Sequence, residues 1–249
     1  MSPPRLMPES HLGSRRRSLA RILALCVSLI WSCAGCASLK RPAGVPASYA
    51  PAEIPAALEQ ARGELDQGVL LHAFFRSRSA ARSKGLAPED KLAAQALYDR
   101  ATEAWIAAQA SAGSDPDLLE ELLDLEVSTP LAVRAGVSAA ELHFRAGERM
   151  KAFRLLKRVD RSFPHHQERV TAGNLLATIG FSFAEDPRRY GLFFHYRDNA
   201  PQVLEYLVLE YPTQRECDRA YVVLAGLYER DKDWELAIER LEDLVLWHA

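Results

Sequence analysis

The sequence predicts an all-α fold built from stacked helical hairpins. Apolar residues between Ile54 and Trp247 recur with spacings of three and four, which is the period of an amphipathic helix. No segment alternates between apolar and polar residues in the way that a half-buried strand does. Glycine (13) and proline (14) are sparse among the 249 residues, which argues against a turn-rich β protein. We therefore expect about ten helices of roughly 10–20 residues each.

Composition excludes several functional classes. Apolar residues make up 48% and charged residues 26% of the chain, so the protein is too apolar to be disordered. The net charge of −2 does not indicate a nucleic-acid-binding protein. Four cysteines are too few for a disulfide scaffold of this length. The order of the residues must therefore indicate the function.

The amino terminus predicts an export signal with a lipid anchor. Arginines precede an uncharged run at 22–34, which is shorter than the roughly 20 residues of a membrane-spanning helix. The run leads into CAGC at 33–36, which resembles the lipobox of bacterial lipoproteins, although Cys33 replaces the usual leucine. The resemblance implies that residues 1–35 are a cleaved signal peptide and that Cys36 carries a diacylglyceryl group and an amide-linked palmitate. The alternatives are an ordinary signal peptide and an uncleaved short membrane helix.

Helix-breaking residues divide the next part of the chain. Small residues at helical spacing predict a degenerate hairpin at 55–85, and two further helices are expected at about 88–112 and 115–126. Helix starts are predicted where a capping residue precedes a proline, because proline suits the first helical turn: Asp115 before Pro116, and Ser128 or Thr129 before Pro130.

Three later segments share one pattern of small and large residues. Alanines at 152, 200 and 237 are each followed by apolar residues at +4 and +7, and the first two also by a proline at +12: Leu156, Val159, Pro164, Leu204, Leu207, Pro212, Leu241, Leu244. The pattern resembles the second helix of a tetratricopeptide repeat, in which small residues let antiparallel helices approach and proline ends the helix. The resemblance places repeats at about 133–164, 170–212 and 218–249.

These patterns divide the chain into four segments. The signal peptide is followed by a flexible tether at 36–53, where prolines and small residues are frequent. Degenerate helical hairpins are predicted at 54–126 and repeats similar to tetratricopeptide repeats at 127–249. The second repeat contains an insert at 185–196, which we expect to be a long loop folded back on the array.

The order of lipobox, tether and hairpins resembles the BamD-type lipoproteins of outer-membrane β-barrel assembly, most clearly over about 130–249. The resemblance implies a non-enzymatic scaffold, lipid-anchored to the periplasmic face of the outer membrane. Its implied partners are a β-barrel assembly protein and unfolded barrel proteins, with no nucleic acid, metal or cofactor. Two alternatives remain: an adaptor for peptidoglycan or cell-division machinery, and an enzyme whose site lies within 54–126.

Two surfaces are predicted to bind protein partners. Arrays of this kind usually bind an extended peptide on the concave face formed by their first helices. The repeat positions on that face are Arg134, Val137, Glu141, Phe144, Thr171, Asn174, Thr178, Phe181, Arg219, Val222 and Glu229. The second surface is an apolar docking face at the carboxyl end, formed by Ile238, Leu241, Leu244, Val245 and Trp247. Because repeat arrays normally need a polar cap, this face indicates a partner protein, a dimer or a truncated gene product.

The remaining residues that could carry out chemistry are expected to have structural roles. We expect His165 and His166 to lie in a solvated loop, His143 to pack in the core or the groove, and Cys217 to lie between helices. The acidic run is expected on the solvated side of its helix: Glu120, Glu121, Asp124, Glu126. The chain contains no HExxH, GxSxG or P-loop motif.

Overall fold

The computed structural model describes residues 39–112, 115–125, 127–190 and 194–248. The predicted signal peptide, the lipid site at Cys36 and the start of the predicted tether lie outside these ranges. The described residues form an all-α, hairpin-repeat-like fold, which confirms the predicted fold class. The described part has ten α-helices: α1 (Ile54–Asp66), α2 (Leu70–Ala81), α3 (Pro88–Ala112), α4 (Pro116–Glu120), α5 (Thr129–Arg145), α6 (Arg149–Ser162), α7 (Arg169–Ala184), α8 (Ala200–Glu210), α9 (Cys217–Arg230) and α10 (Trp234–His248).

Consecutive helices pack against each other as hairpins along the chain. In the carboxyl-terminal part α5 packs on α6, α7 on α8, and α9 on α10, at the positions where the three repeats are predicted. Each second helix also contacts the first helix of the next hairpin, so α6 packs on α7 and α8 on α9. The hairpins therefore share a continuous hydrophobic core.

Small residues allow the paired helices to approach closely. A Cβ atom added to Gly180 of α7 would lie 2.4 Å from Leu204 Cδ2 of α8, and one added to Gly136 of α5 would lie 2.5 Å from Val159 Cγ2 of α6. Both distances are shorter than any van der Waals contact, so these positions accept no larger side chain without movement of a neighbour. Glycine at these positions is therefore required by packing.

The amino-terminal helices have an aromatic core. Phe74 of α2 lies 5.4 Å from the Tyr98 ring and 5.9 Å from the Trp105 ring of α3, measured between ring centroids. Helix α4 begins as predicted, because the Asp115 side chain accepts a hydrogen bond from the Asp117 amide at 3.0 Å. The predicted helix at 115–126 is shorter than expected, since after Glu120 the chain continues as a 3₁₀ turn, Glu121–Asp124.

The prediction of a flexible tether is wrong for its described part, 39–53. The Leu39 amide donates to Glu121 Oε2 at 2.7 Å, the Tyr49 amide donates to Ser83 Oγ at 2.9 Å, and Val45 is buried in the core. Residues 51–53 form a 3₁₀ turn that leads into α1. Long-range hydrogen bonds hold this segment, and its local composition carries no sign of them.

The predicted insert contains the two described strands of the protein. Strand β1 (Arg189–Tyr190) pairs antiparallel with β2 (Phe194–His195), and a 3₁₀ turn, Tyr196–Asn199, leads into α8. Asp186, before β1, is buried and accepts hydrogen bonds from the guanidinium groups of Arg188 and Arg149. These groups hold the pKa of the Asp186 carboxyl well below its usual range. The described part of the insert, 185–190 and 194–196, thus folds back on α6, as expected, although strands were not predicted.

Replacement of Gly180 by alanine is expected to lower the free energy of unfolding by about 1–3 kcal/mol, because the new methyl group collides with Leu204. Gly226→Ala in α9 is the matched control. A Cβ atom there meets nothing within 4 Å, so alanine should raise the stability by about 0.5–1 kcal/mol through helix propensity. Denaturant unfolding of both variants measures the difference. Equal effects of the two substitutions would contradict the close approach of α7 and α8.

Candidate partner-binding surfaces

The predicted concave face separates into buried and exposed residues. Val137 and Phe181 are buried, so the prediction that they bind a partner directly is wrong. The reason is that α5, α7 and α9 pack on one another along the array, which covers this side of each helix. The guanidinium of Arg219 lies 4.2 Å from the centroid of the Phe181 ring and shields it from solvent. Phe144 is half-buried against the same core.

The two arginines of this face form ion pairs with residues outside their own helices. Arg134 of α5 pairs with Glu103 at 2.6 Å and approaches Glu168, before α7, at 3.8 Å. Arg219 of α9 pairs with Glu185, after α7, at 2.9 Å. The other predicted residues are exposed: Glu141, Thr171, Asn174, Thr178, Val222 and Glu229. The face is therefore a polar surface whose ion pairs connect hairpins, with Val222 as its exposed apolar residue.

Helix α10 carries the more apolar surface. Ile238, Leu241, Val245 and Leu246, together with Glu242, line an open groove of about 440 Å³. We call these five residues the α10 groove. Their spacing of i, i+3, i+4, i+7 and i+8 is that of one helix face. The repeat pattern did not predict that Leu246 and Glu242 belong to this surface. Both residues lie on the same helix face as Ile238, at i+8 and i+4.

Two other predicted docking residues differ from the groove residues. Leu244 is half-buried and packs against the core of the array, so its place in the predicted docking face is wrong. Trp247 is exposed but does not line the groove. The candidate docking surface is thus the stripe of α10 that lines the groove.

The same repeat position is buried in two hairpins and exposed in the third. Leu156 in α6 and Leu204 in α8 have no exposed surface, whereas the equivalent Leu241 in α10 is 45% exposed. Ile238 and Val245, on the same side of α10, are 57% and 66% exposed. In this chain α10 therefore carries the apolar pattern of an inner helix on a surface that is open to solvent.

A polar cluster fixes the orientation of α10. Arg240 of α10 lies 3.4 Å from Glu205 of α8 and 2.7 Å from Asp243, and Tyr228 of α9 donates a hydrogen bond to Glu205 at 2.9 Å. Burial, together with the nearby Glu205 carboxylate, raises the pKa of Tyr228, so its hydroxyl stays protonated as a donor. The cluster joins α8, α9 and α10, and the groove therefore lies on a firmly held helix.

A second polar cluster, centred on Asp160 at the end of α6, lies inside the array. Its buried carboxylate accepts hydrogen bonds from Tyr206 at 2.8 Å and Tyr211 at 2.6 Å, and lies 2.9 Å from His166 Nε2. The interpretation of His166 as a solvated loop residue is therefore wrong, whereas His165 is exposed. Burial first and then the hydrogen bond to Asp160 raise the pKa of both tyrosines. Tyr211 directly precedes the repeat proline Pro212, but the repeat pattern does not predict its contact with Asp160, which is 51 residues away.

Cys217 also differs from its prediction. It begins α9 and is buried, and its thiol lies 3.0 Å from the Tyr211 carbonyl oxygen. Burial raises the pKa of the thiol to about 11, which keeps it protonated and unreactive at neutral pH. Its environment is that of a packing residue.

A comparison with known protein families finds no match to this chain, and no curated protein matches it either. Among the described helices, none is long and apolar enough to cross a membrane. Inferences about function therefore depend on the residues of this chain.

Replacement of Asp160 by alanine is expected to lower the free energy of unfolding by about 3 kcal/mol or more, because buried donors lose their acceptor. Tyr206→Phe removes one donor and leaves the carboxylate paired with Tyr211, so a loss of about 1–2 kcal/mol is expected. Chemical denaturation followed by circular dichroism measures both. A loss below that of Tyr206→Phe for the alanine variant would refute the cluster.

Proposed function

We propose that this protein is a non-enzymatic scaffold, lipid-anchored to the periplasmic face of the outer membrane, which binds protein partners in β-barrel protein assembly. The observation that carries the proposal is the α10 groove, an open apolar stripe on a firmly held helix of a hairpin array. The lipobox-like residues ending in Cys36 support the anchor, and the repeat pattern over about 130–249 supports the process.

The occupant that fits the groove is an apolar α-helix of a partner protein. In the inner hairpins the second helix is covered by the first helix of the next hairpin, so the same kind of element suits α10. Residues 238–246 span about 12 Å of helix, which is a little over two turns. Glu242 lies among the apolar lining residues, so the partner helix should place a lysine or arginine beside its apolar residues.

The exposed polar surface along α5, α7 and α9 supports a second, weaker contact. Thr171, Asn174 and Thr178 present hydroxyl and amide groups on one face of α7. Such groups can pair with the backbone of an extended chain, and an unfolded barrel protein is a chain of that kind. This surface has few apolar anchors, so we assign the main share of partner affinity to the α10 groove.

The α10 groove is tested by affinity capture from detergent-solubilised membranes of the bacterium that produces the protein. The double variant Ile238→Glu, Val245→Glu places charge on the apolar stripe and should reduce recovery of the barrel-assembly protein at least tenfold. The matched control is Val170→Glu, Leu209→Glu, which alters two residues that are 65% and 70% exposed elsewhere on the array. Circular dichroism confirms that both variants are folded.

The groove variant tests where partners bind, and the wild-type capture tests the proposed process. Equal recovery with the groove variant and the control would show that partners bind elsewhere. Absence of a barrel-assembly protein from the wild-type capture would contradict the proposed process.

The lipid anchor is tested by Cys36→Ser. Because the thioether to the lipid cannot form, the variant should lose palmitate labelling. The matched control is Cys217→Ser, since Cys217 is buried in the folded array. Retention of label by Cys36→Ser would contradict the anchor.

A further inference from the structure

His143 of α5 has a buried imidazole, and one of its two ring nitrogens has no hydrogen-bond partner. Its side chain is 1% exposed, and its Nδ1 atom lies 2.8 Å from Glu148 Oε2. Because a carboxylate accepts hydrogen bonds, Nδ1 is the nitrogen that donates to Glu148, and Nε2 remains available to another group. Nε2 is buried and has no hydrogen-bond partner. A buried, unpaired nitrogen of this kind is unfavourable unless another group binds it.

Two carboxylates of α4 face the free nitrogen. Asp117 Oδ1 and Glu120 Oε2 each lie 3.7 Å from His143 Nε2, and the three atoms lie within 4.8 Å of one another. This separation exceeds hydrogen-bonding distance, and the two carboxylate oxygens, which lie within 4.8 Å of each other, repel one another. The arrangement would be stabilised by a cation between the three atoms.

We propose that Asp117, Glu120 and His143 bind a divalent transition-metal ion, with Zn²⁺ as the ion that best suits this donor set. At metal–ligand distances of about 2.0–2.2 Å, two ligands 3.7 Å apart subtend an angle of roughly 120° at the ion. This angle lies near the tetrahedral value and leaves one position for water. Glu148 orients the imidazole from behind, as carboxylates commonly do for histidine ligands of zinc.

Two cationic side chains already contact the carboxylates of the proposed metal site. Lys151 Nζ lies 2.6 Å from Asp117 Oδ1, which is the oxygen facing His143. The Lys151 side chain is 44% exposed and can turn into solvent when the metal ion replaces it. Arg158 bonds Glu120 through Oε1 at 3.0 Å and leaves Oε2 directed at the site. Metal binding therefore displaces one exposed ammonium group and keeps the arginine contact.

The site joins the two halves of the described array. Asp117 and Glu120 belong to α4, which precedes the first predicted repeat, while His143 and Glu148 belong to the first repeat hairpin. A bound ion would link these segments and stabilise the folded state by an amount that rises with the logarithm of the ratio of its concentration to its Kd. This role is independent of the α10 groove. It also departs from the sequence-based interpretation of His143 as a packing residue and from the expectation of no metal site.

The site is tested by titrating the metal-free full chain with ZnCl₂ in a calorimeter. The variants Asp117→Asn and Glu120→Gln keep the size of each side chain and should each weaken Zn²⁺ binding at least tenfold. Glu148→Gln, which alters the orienting residue, should weaken it about 10–100-fold. The matched control Glu141→Gln removes an exposed carboxylate of α5 outside the cluster and should change nothing.

A second measurement covers His143, whose replacement risks misfolding because the ring is buried. X-ray absorption at the zinc edge of the wild-type protein should show one imidazole nitrogen together with oxygen ligands. Absence of Zn²⁺ binding at this site, or binding that Asp117→Asn and Glu120→Gln leave unchanged, would overturn the proposal. Thermal unfolding with and without Zn²⁺ should show stabilisation of the wild type that both variants lose.

Discussion

Each helical hairpin of this protein leaves one side of its second helix open until another helix covers it. Leu156 and Leu204 share one repeat position in α6 and α8, on which α7 and α9 also pack, and both side chains are fully buried. Leu241 occupies the same position in α10 and is partly exposed. Packing between successive helices therefore accounts for how the described array is held together, and the described residues leave the apolar face of α10 exposed.

Polar contacts between hairpins determine how the helices stack. Asp160 receives hydrogen bonds from two tyrosines of the following hairpin, and Glu205 connects α8 to Tyr228 and Arg240. Buried groups of this kind cost desolvation energy, so their main effect is to favour one arrangement over its alternatives. The result is an array whose last described helix presents a defined face.

Local sequence patterns predicted most of the helices. Apolar spacing, the capping Asp115 and the alanines of the repeats act within a few residues, so the sequence alone was enough to identify them. The docking of residues 39–53 and the burial of His166 depend on partners more than five residues away, which no local pattern encodes.

The exposure of the candidate binding surfaces was predicted less completely than the helices. Repeat register placed Ile238, Leu241 and Val245 on an open face, and these residues do line the groove. It also placed Val137 and Phe181 on the concave face, where packing between α5, α7 and α9 buries them. The repeat pattern identifies equivalent positions within each hairpin, but the exposure of a side chain depends on which helices pack alongside that hairpin.

The most direct test of the covering-helix constraint is site-specific photocrosslinking in intact cells. A photoreactive amino acid at position 241, in the groove, is compared with one at position 209, which is exposed on α8. The covering-helix constraint, together with the proposed function, predicts a discrete adduct between position 241 and a helix of a barrel-assembly protein, and none from position 209. Equal labelling from the two positions, or no adduct from position 241, would contradict it.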